Sequence, residues 1–155
     1  MRGLVLLIAT VGGVGYSPVA PGTFGTVVAL PLVVWLAGLW TQSAVVYVVA
    51  VAVLIAVAIW SAGGADEALG EHDSGKIVID EVAGMVVAGM FLPAGWKAVA
   101  AGFALFRLFD IVKPFPAGYF DRDVGGGFGV VADDLVAGVY AGVAARFGCW
   151  LLGGL

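Results

Sequence analysis

The chain has 155 residues, of which 62% are hydrophobic and only 12% are charged, and its mean hydropathy is +1.09. Soluble domains are about 45–50% apolar and about 25% charged, so this composition excludes an ordinary soluble protein and predicts one that lipid covers. The net charge of −4 and the lack of a basic block argue against a nucleic-acid partner. The single cysteine, Cys149, excludes an internal disulfide.

The first apolar stretch, residues 3–11, is too short to span a bilayer and predicts a short, partly buried N-terminal helix. An alternative is a secretory signal cleaved after Ala20, because an arginine and an apolar run precede "SPVAPG". That alternative is weaker, since no soluble domain that would need export follows.

Five later stretches are apolar enough for membrane-spanning helices, in which the backbone satisfies its own hydrogen bonds away from water. They are residues 25–40, 43–62, 77–92, 97–112 and 130–152. The expected fold is therefore an all-α, polytopic integral membrane helical bundle, with about five apolar helices and the short N-terminal helix. We expect one membrane-embedded domain over residues 1–155.

Five crossings place three polar segments on one face of the membrane: the stretch before the first span, the loop 66–76, and the segment between the last two spans. Most basic residues lie there, whereas the opposite turns offer mainly Lys97. Basic residues are enriched in cytoplasmic loops, so the polar face is predicted to be cytoplasmic. The basic residues of this face are Lys76, Arg107, Lys113 and Arg122.

Five carboxylates are expected to meet on this face. Asp80 and Glu81 start the third span, Asp110 lies near the end of the fourth, and Asp133 and Asp134 start the fifth. Carboxylates this close repel one another unless a cation is present, and ionisable groups at membrane depth need partners. Mg²⁺ prefers oxygen ligands, so the pattern predicts a site for one or two magnesium ions.

Two simpler explanations of these acids stay open. Acids in the first turn of a helix complement its positive end, but Asp110 lies at the opposite end. Asp110 can instead pair with Arg107 and Lys113, three residues away on either side. The same two cations, beside a metal site, would also suit the binding of a phosphate.

The turn "SPVAPGTFGT", residues 17–26, precedes the first span. Its backbone N–H groups and the hydroxyl of Thr23 or Thr26 could hold a phosphate, although a simple helix cap is the alternative. The glycines at 125–127 match no phosphate-binding pattern and predict a flexible hinge. The lone histidine, His72, is expected in an exposed loop.

Elimination narrows the chemistry. A single histidine excludes a mechanism with two histidines, and the surroundings of Cys149 lack a phosphate-binding loop. Metal-assisted attack by water on a phosphate remains. A small membrane subunit for cation or proton transport is the alternative function, but its acids should be spread through the bilayer. A lipid headgroup transferase is a further alternative, although its long Asp-Gly and Ala-Arg signature is not found.

Four segments, in order and with the right spacing from about residue 12 to 145, resemble the phosphatidylglycerophosphatase A family. They are "SPVAPGTFGT", "HDSGKIVIDEVAGM", "FRLFDIVKPFP" and "GGFGVVADDLVAG". The resemblance implies a Mg²⁺-dependent enzyme of the bacterial inner membrane. Its substrate would be the phospholipid phosphatidylglycerophosphate, presented among membrane lipids at the cytoplasmic face, and its product phosphatidylglycerol. Self-association into a homo-oligomer is left open.

The resemblance matches charged positions residue by residue, and it departs only mildly, at Thr26 and Val131. Together with the residue analysis it predicts three roles. The expected metal ligands are Glu81, Asp110, Asp133 and Asp134. Asp80 and Asp134 are the expected catalytic carboxylates, with Asp73 as a further candidate. The expected phosphate-binding residues are Thr23, Arg107 and Lys113.

Overall fold

A computed structural model describes residues 2–152 of the chain. It contains seven α-helices, one 3₁₀ turn and no strand within that range, which confirms the predicted all-α class. The helices are α1 (Arg2–Ala9), α2 (Pro21–Gln42), α3 (Ala44–Leu69), α4 (Ile79–Gly89), α5 (Trp96–Val112), α6 (Ala117–Asp123) and α7 (Gly126–Leu151), and the 3₁₀ turn is Val14–Tyr16.

Three helices, α2, α3 and α7, are long and apolar enough to cross a membrane. The expected count of five is not confirmed. The helix α4 has 11 residues and is therefore about 17 Å long, well below the roughly 30 Å of a bilayer's hydrocarbon core. The helix α5, with 17 residues, lies near the lower limit.

The short helix α4 forms the centre of the bundle. Nearly all of its residues are buried, and α7, α2 and α3 pack around it. Before it, the Val78 N–H donates to the Ala9 carbonyl oxygen at 2.9 Å, so this segment is tied to the end of α1 rather than extending the helix. Protein therefore covers α4 where the sequence pattern predicted lipid. By contrast, α3 exposes apolar side chains outward, among them Val45, Val49 and Val53.

Close packing of α4 against α7 depends on glycines. A Cβ added at Gly138 would lie 2.2 Å from the Gly84 carbonyl oxygen, and one at Gly142 would lie 2.6 Å from that of Ala88. The neighbouring atoms are backbone, which cannot move aside without separating the helices. The pair Gly138 and Gly142 is therefore a helix contact, as small residues four apart often are in membrane proteins.

Replacing Gly138 by alanine is expected to destabilise the protein by about 1–3 kcal/mol, because the two backbones must move apart. Gly148→Ala in the same helix is the matched control: its Cβ would meet nothing within 4 Å, and alanine favours helix. Thermal unfolding in detergent should show a lower midpoint only for Gly138→Ala. Equal midpoints for the two variants would contradict the close contact.

The segment between α5 and α7 differs from the prediction. It contains α6, and α7 begins at Gly126, four residues earlier than expected. A Cβ at Gly127 would lie 2.0 Å from the Ile59 carbonyl oxygen and 2.4 Å from the Gly63 nitrogen. The expectation of a flexible hinge at 125–127 is therefore wrong, since these glycines start α7 and let it pack on α3.

Candidate active site

One end of the bundle gathers the polar residues, and we call it the polar end. The start of α2 meets the start of α4 there, because a Cβ at Gly22 would lie 2.0 Å from Glu81 Oε1. The end of α5 meets α7 through Lys113, whose Nζ lies 2.7 Å from Asp133 Oδ2. The polar segments therefore cluster at one end, as the sequence analysis expected.

Three carboxylates at the polar end form a tight group, the acidic triad: Asp80 and Glu81 of α4, and Asp134 of α7. One oxygen from each lies within 4.8 Å of the others. Asp80 is 7% exposed and Asp134 is 3% exposed. Two buried oxygens of the triad, Asp80 Oδ1 and Glu81 Oε2, have no hydrogen-bond partner among the described residues. Such unpartnered acceptors in a buried acidic group are what a bound cation would satisfy, so the triad fits a metal ion.

Arg107 lies beside the triad. Its Nη1 is 2.6 Å from Asp110 Oδ2 and 3.9 Å from Glu81 Oε1. The contact with Asp110 is an ion pair whose angles do not meet those of a hydrogen bond. Nε and Nη1 of Arg107 are both buried, and neither donates a hydrogen bond to another described residue. The predicted pairing of Asp110 with Arg107 is confirmed. Within the described range, Nε is the guanidinium nitrogen without a charged partner, and a free donor next to a metal-competent group suits an anionic ligand.

Lys113 does not pair with Asp110, so that part of the prediction is wrong. The helix α5 ends at Val112, and Lys113 takes a left-handed backbone conformation with φ of 48°. This conformation takes Lys113 off the α5 face, and its Nζ hydrogen-bonds to Asp121 of α6 and Asp133 of α7. Burial alone would lower the pKa of Lys113, but these hydrogen bonds hold it above its usual value.

Asp121 is not among the predicted site residues, because the sequence pattern predicts no helix over residues 117–123. The only available signal was the acidic pair in "DRDVG". The sequence pattern also predicts Asp133 and Asp134 in the first turn of their helix. Because α7 starts at Gly126, they lie in its third turn, and its first turn has no acid. The proposed interaction with the positive helix end is therefore wrong for these two residues, although it holds for Asp80 and Glu81.

Asp133 and Asp134 are neighbours with different surroundings. Asp133 pairs with Lys113, whereas Asp134 joins the triad. Neither Asp110 nor Asp133 belongs to the group whose oxygens lie within 4.8 Å of one another. Asp110 nevertheless lies near enough to Asp134 for the two carboxylates to interact electrostatically.

The start of α2 borders this site. The Cβ position of Gly22 lies 3.2 Å from Arg107 Nη1, so a larger residue there would intrude. The Thr26 hydroxyl is buried and donates to the Gly22 carbonyl oxygen at 2.8 Å, which makes it part of the helix rather than a phosphate ligand. Thr23 is partly exposed, and its predicted role in phosphate binding stays a prediction.

The loop after α3 is anchored by Asp66. Its Oδ2 lies 2.6 Å from His72 Nδ1, and its Oδ1 accepts a hydrogen bond from the Asp73 N–H at 3.0 Å. His72 is half exposed, as predicted. Burial raises the pKa of Asp73, against the opposing charge of Lys113 nearby. The loop therefore holds Asp73 at the edge of the site, and Asp66 is a residue that the sequence analysis missed.

Asp66 also affects the titration of His72. The hydrogen bond that the Asp66 carboxylate accepts from the His72 ring raises the pKa of His72 above its usual value. The pair should therefore stabilise the loop fully below about pH 6.5 and lose that effect as the pH rises through the raised value. We expect Asp66→Asn to lower the pKa of His72, measured by NMR titration of the ring protons. An unchanged pKa in that variant would contradict the contact, and Asp123→Asn serves as the control.

Comparison with known proteins gives a consistent result. The family model described as phosphatidylglycerophosphatase A matches residues 7–148. The Phosphatidylglycerophosphatase A of Escherichia coli (strain K12) is 41% identical over 150 residues, which cover 95% of this chain and 86% of the relative. The protein of the same name from Haemophilus influenzae is 38% identical over 136 residues, covering 87% of this chain and 82% of the relative.

A third relative, from Bacteroides thetaiotaomicron, is provisionally named a phosphatidylinositol-3-phosphatase. It is 36% identical over 163 aligned positions, covering 97% of this chain and 96% of the relative. No solved structure matches the chain. The family match spans every residue of the acidic triad and its basic neighbours. The chain is a phosphatase that belongs to the phosphatidylglycerophosphatase A family.

Proposed function

We propose that this protein removes the terminal phosphate of phosphatidylglycerophosphate to give phosphatidylglycerol, in phospholipid biosynthesis at the cytoplasmic face of the bacterial inner membrane. The observation that carries the proposal is the acidic triad beside Arg107: two buried oxygens of the triad and Nε of Arg107 lack partners among the described residues. The substrate follows the names of the Escherichia coli and Haemophilus influenzae relatives. The cytoplasmic face follows the basic residues of the polar end.

The ion that we propose for the triad is Mg²⁺. All the available donors are carboxylate oxygens, which suit a hard cation, and no histidine or cysteine belongs to the group. Asp80, Glu81 and Asp134 would hold it. When bound, Mg²⁺ would neutralise the carboxylates and polarise the phosphate ester.

The remaining charged residues bind the phosphate or position the side chains that bind it. Arg107 directs its unused donors to the phosphoryl oxygens and balances the charge that spreads over them during transfer. Asp110 holds Arg107, and Asp133 holds Lys113, so we propose positioning roles for these two acids beside their predicted roles as ligands. Thr23, at the adjoining start of α2, is a further proposed phosphate contact.

Hydrolysis requires a proton acceptor and a proton donor. We assign the first task to the Asp80 carboxylate oxygen that does not hold the ion. It takes a proton from a water molecule as the oxygen of that water bonds to phosphorus. The bond between phosphorus and the glycerol oxygen then breaks, and the proton passes to the departing oxygen. The products are inorganic phosphate and the alcohol headgroup of phosphatidylglycerol.

Phosphate release from the purified protein tests the proposal. With phosphatidylglycerophosphate in detergent micelles, we expect release with Mg²⁺ and its loss with EDTA, restored by excess Mg²⁺. Phosphatidylinositol 3-phosphate should be tested in parallel, because the third relative bears that name. Faster release from the inositol lipid would reassign the substrate. If neither lipid gave metal-dependent release, the proposed function would be wrong.

The alternative of a transport subunit is not favoured. A cation pathway requires ionisable groups through the depth of the bilayer. Here the acids gather at one level, the first turn of α4 and the third turn of α7, and beyond Asp134 the contact between these helices consists of glycine and apolar residues.

A further inference from the structure

The helix α7 uses two different faces. Asp134, Gly138 and Gly142, spaced four apart, point to α4. Asp133, Tyr140 and Phe147, spaced seven apart, share another face because seven residues make about two turns. This second face begins at the polar end, where Asp133 pairs with Lys113, and continues to the far end of the helix.

Two apolar cavities lie along the second face. One of about 400 Å³ is lined by Phe109, Pro114, Phe115, Tyr140, Val143, Ala144 and Phe147. The other, of about 450 Å³, is lined mainly by Phe91, Pro93, Val143, Phe147 and Trp150. They share Val143 and Phe147, so we describe them as one feature, the α7 groove.

The α7 groove starts next to the candidate active site. The Tyr140 hydroxyl donates to the Phe115 carbonyl oxygen at 2.9 Å, and Phe115 follows Lys113 by two residues. Phe109 lines the groove and is the chain neighbour of Asp110. A ligand whose anionic head lay at Arg107 could therefore extend its tail into the groove.

The dimensions of the groove suit a lipid chain. Tyr140 and Trp150 are ten residues apart, about 15 Å along the helix axis. Asp133 lies seven residues, about 10 Å, nearer the polar end than Tyr140, so a chain that extends one leaflet, about 15 Å, from there would reach Ala144 in the groove. Only one charged residue lines the groove, Arg146, which lies at its far end and donates to the Phe91 carbonyl oxygen at 3.3 Å.

We propose that the α7 groove holds an acyl chain of the phospholipid substrate and so positions its headgroup phosphate beside Arg107 and the acidic triad. This inference rests on the proposed function and assigns the site for the lipid tail. Its basis is the continuity of an apolar groove with the polar end, together with a position that an acyl chain one leaflet long can reach. An acyl chain is in equally apolar surroundings in the groove and among the membrane lipids. The groove would therefore increase the rate by orienting the phosphate rather than by burying the chain.

Narrowing the groove tests the inference. Ala144 lines it, and Ala144→Trp should block an acyl chain there. We expect the kcat/KM of Ala144→Trp to fall roughly tenfold or more with dioleoyl phosphatidylglycerophosphate. With the dihexanoyl lipid, whose chains are too short to fill the groove, activity should stay near that of the native protein. The matched control is Ala52→Trp on the exposed side of α3, which should affect neither substrate.

The outcomes separate the two proposals. If the native protein hydrolyses both lipids and Ala144→Trp lowers both activities equally, the groove does not hold a chain. A change of oligomeric state with equal losses would make it an interface between copies and would also overturn the inference. If Ala144→Trp does not fold, Ala144→Leu replaces it: a loss of activity confined to the dioleoyl lipid supports the inference, and equal losses with both lipids overturn it. If the native protein hydrolyses neither lipid with Mg²⁺, the proposed function fails, and this inference fails with it.

Discussion

Asp134→Asn is expected to abolish turnover while the protein still folds. Asp134 supplies one of the three clustered carboxylates and is almost fully buried. Asparagine keeps the size and one oxygen but removes the charge that a cation requires. The loss of one electrostatic contact to a transition state typically lowers kcat by about 10²–10³-fold, so we expect phosphate release to fall at least about 10²-fold. The measurement is metal-dependent phosphate release at saturating lipid.

The same variant has an opposite expected effect on stability. Without a cation the three carboxylates repel one another, so removing one charge should raise the melting midpoint in EDTA. It should also shrink the upward shift that Mg²⁺ causes in the native protein. Asp123→Asn is the matched control, because Asp123 is exposed on α6 and lies outside the triad. Full activity of Asp134→Asn, or a native-like Mg²⁺ shift, would remove Asp134 from the site.

Arg107→Gln is expected to have the second large effect. Its guanidinium pairs with Asp110 and lies near Glu81 through Nη1, while Nε remains available among the described residues. Loss of the charge removes a contact to the phosphate, for which we expect a fall in kcat/KM of about 10²–10³-fold. It also leaves Asp110 unpaired; because both side chains are partly exposed, we expect the loss of stability to stay below the roughly 3–5 kcal/mol of a fully buried pair. Melting midpoints should therefore be measured alongside the kinetics.

Arg107→Lys distinguishes substrate binding from a purely structural role. Lysine keeps the positive charge but not the planar fork that binds two oxygens at once. We expect it to recover most of the stability and only part of kcat/KM. Arg122→Gln, an exposed change at the same end of the molecule, is the control and should leave both unchanged. Equal recovery of stability and activity by lysine would indicate that Arg107 acts only as a partner of Asp110.

Much of the architecture was accessible from local sequence. The apolar runs predicted the start of α3 and both ends of α5 to within one residue, although α3 continues seven residues beyond its predicted end. The N-terminal stretch predicted α1. The polar segments were expected at one end, which the contacts of Glu81 and Lys113 bear out. These features are predictable because hydropathy and helix formation depend on residues that are near in the chain.

The length of α4 was not accessible in this way. Its residues are as apolar as those of a spanning helix, but apolar side chains can be covered by protein or by lipid. Only the packing of α7 and α2 around α4, permitted by glycines such as Gly138, shows that protein covers it. The hydropathy pattern alone therefore could not show that α4 is too short to span a bilayer.

The sequence by itself determined that the protein needs lipid around it, that it is helical, and that most of its acids and bases belong to one end. Only the tertiary structure decided which acids act together. Asp133 and Asp134 are adjacent in the chain, but successive side chains on a helix point about 100° apart. Asp133 therefore meets Lys113 and Asp134 meets α4, and such partners, distant in sequence, are fixed by how the helices pack.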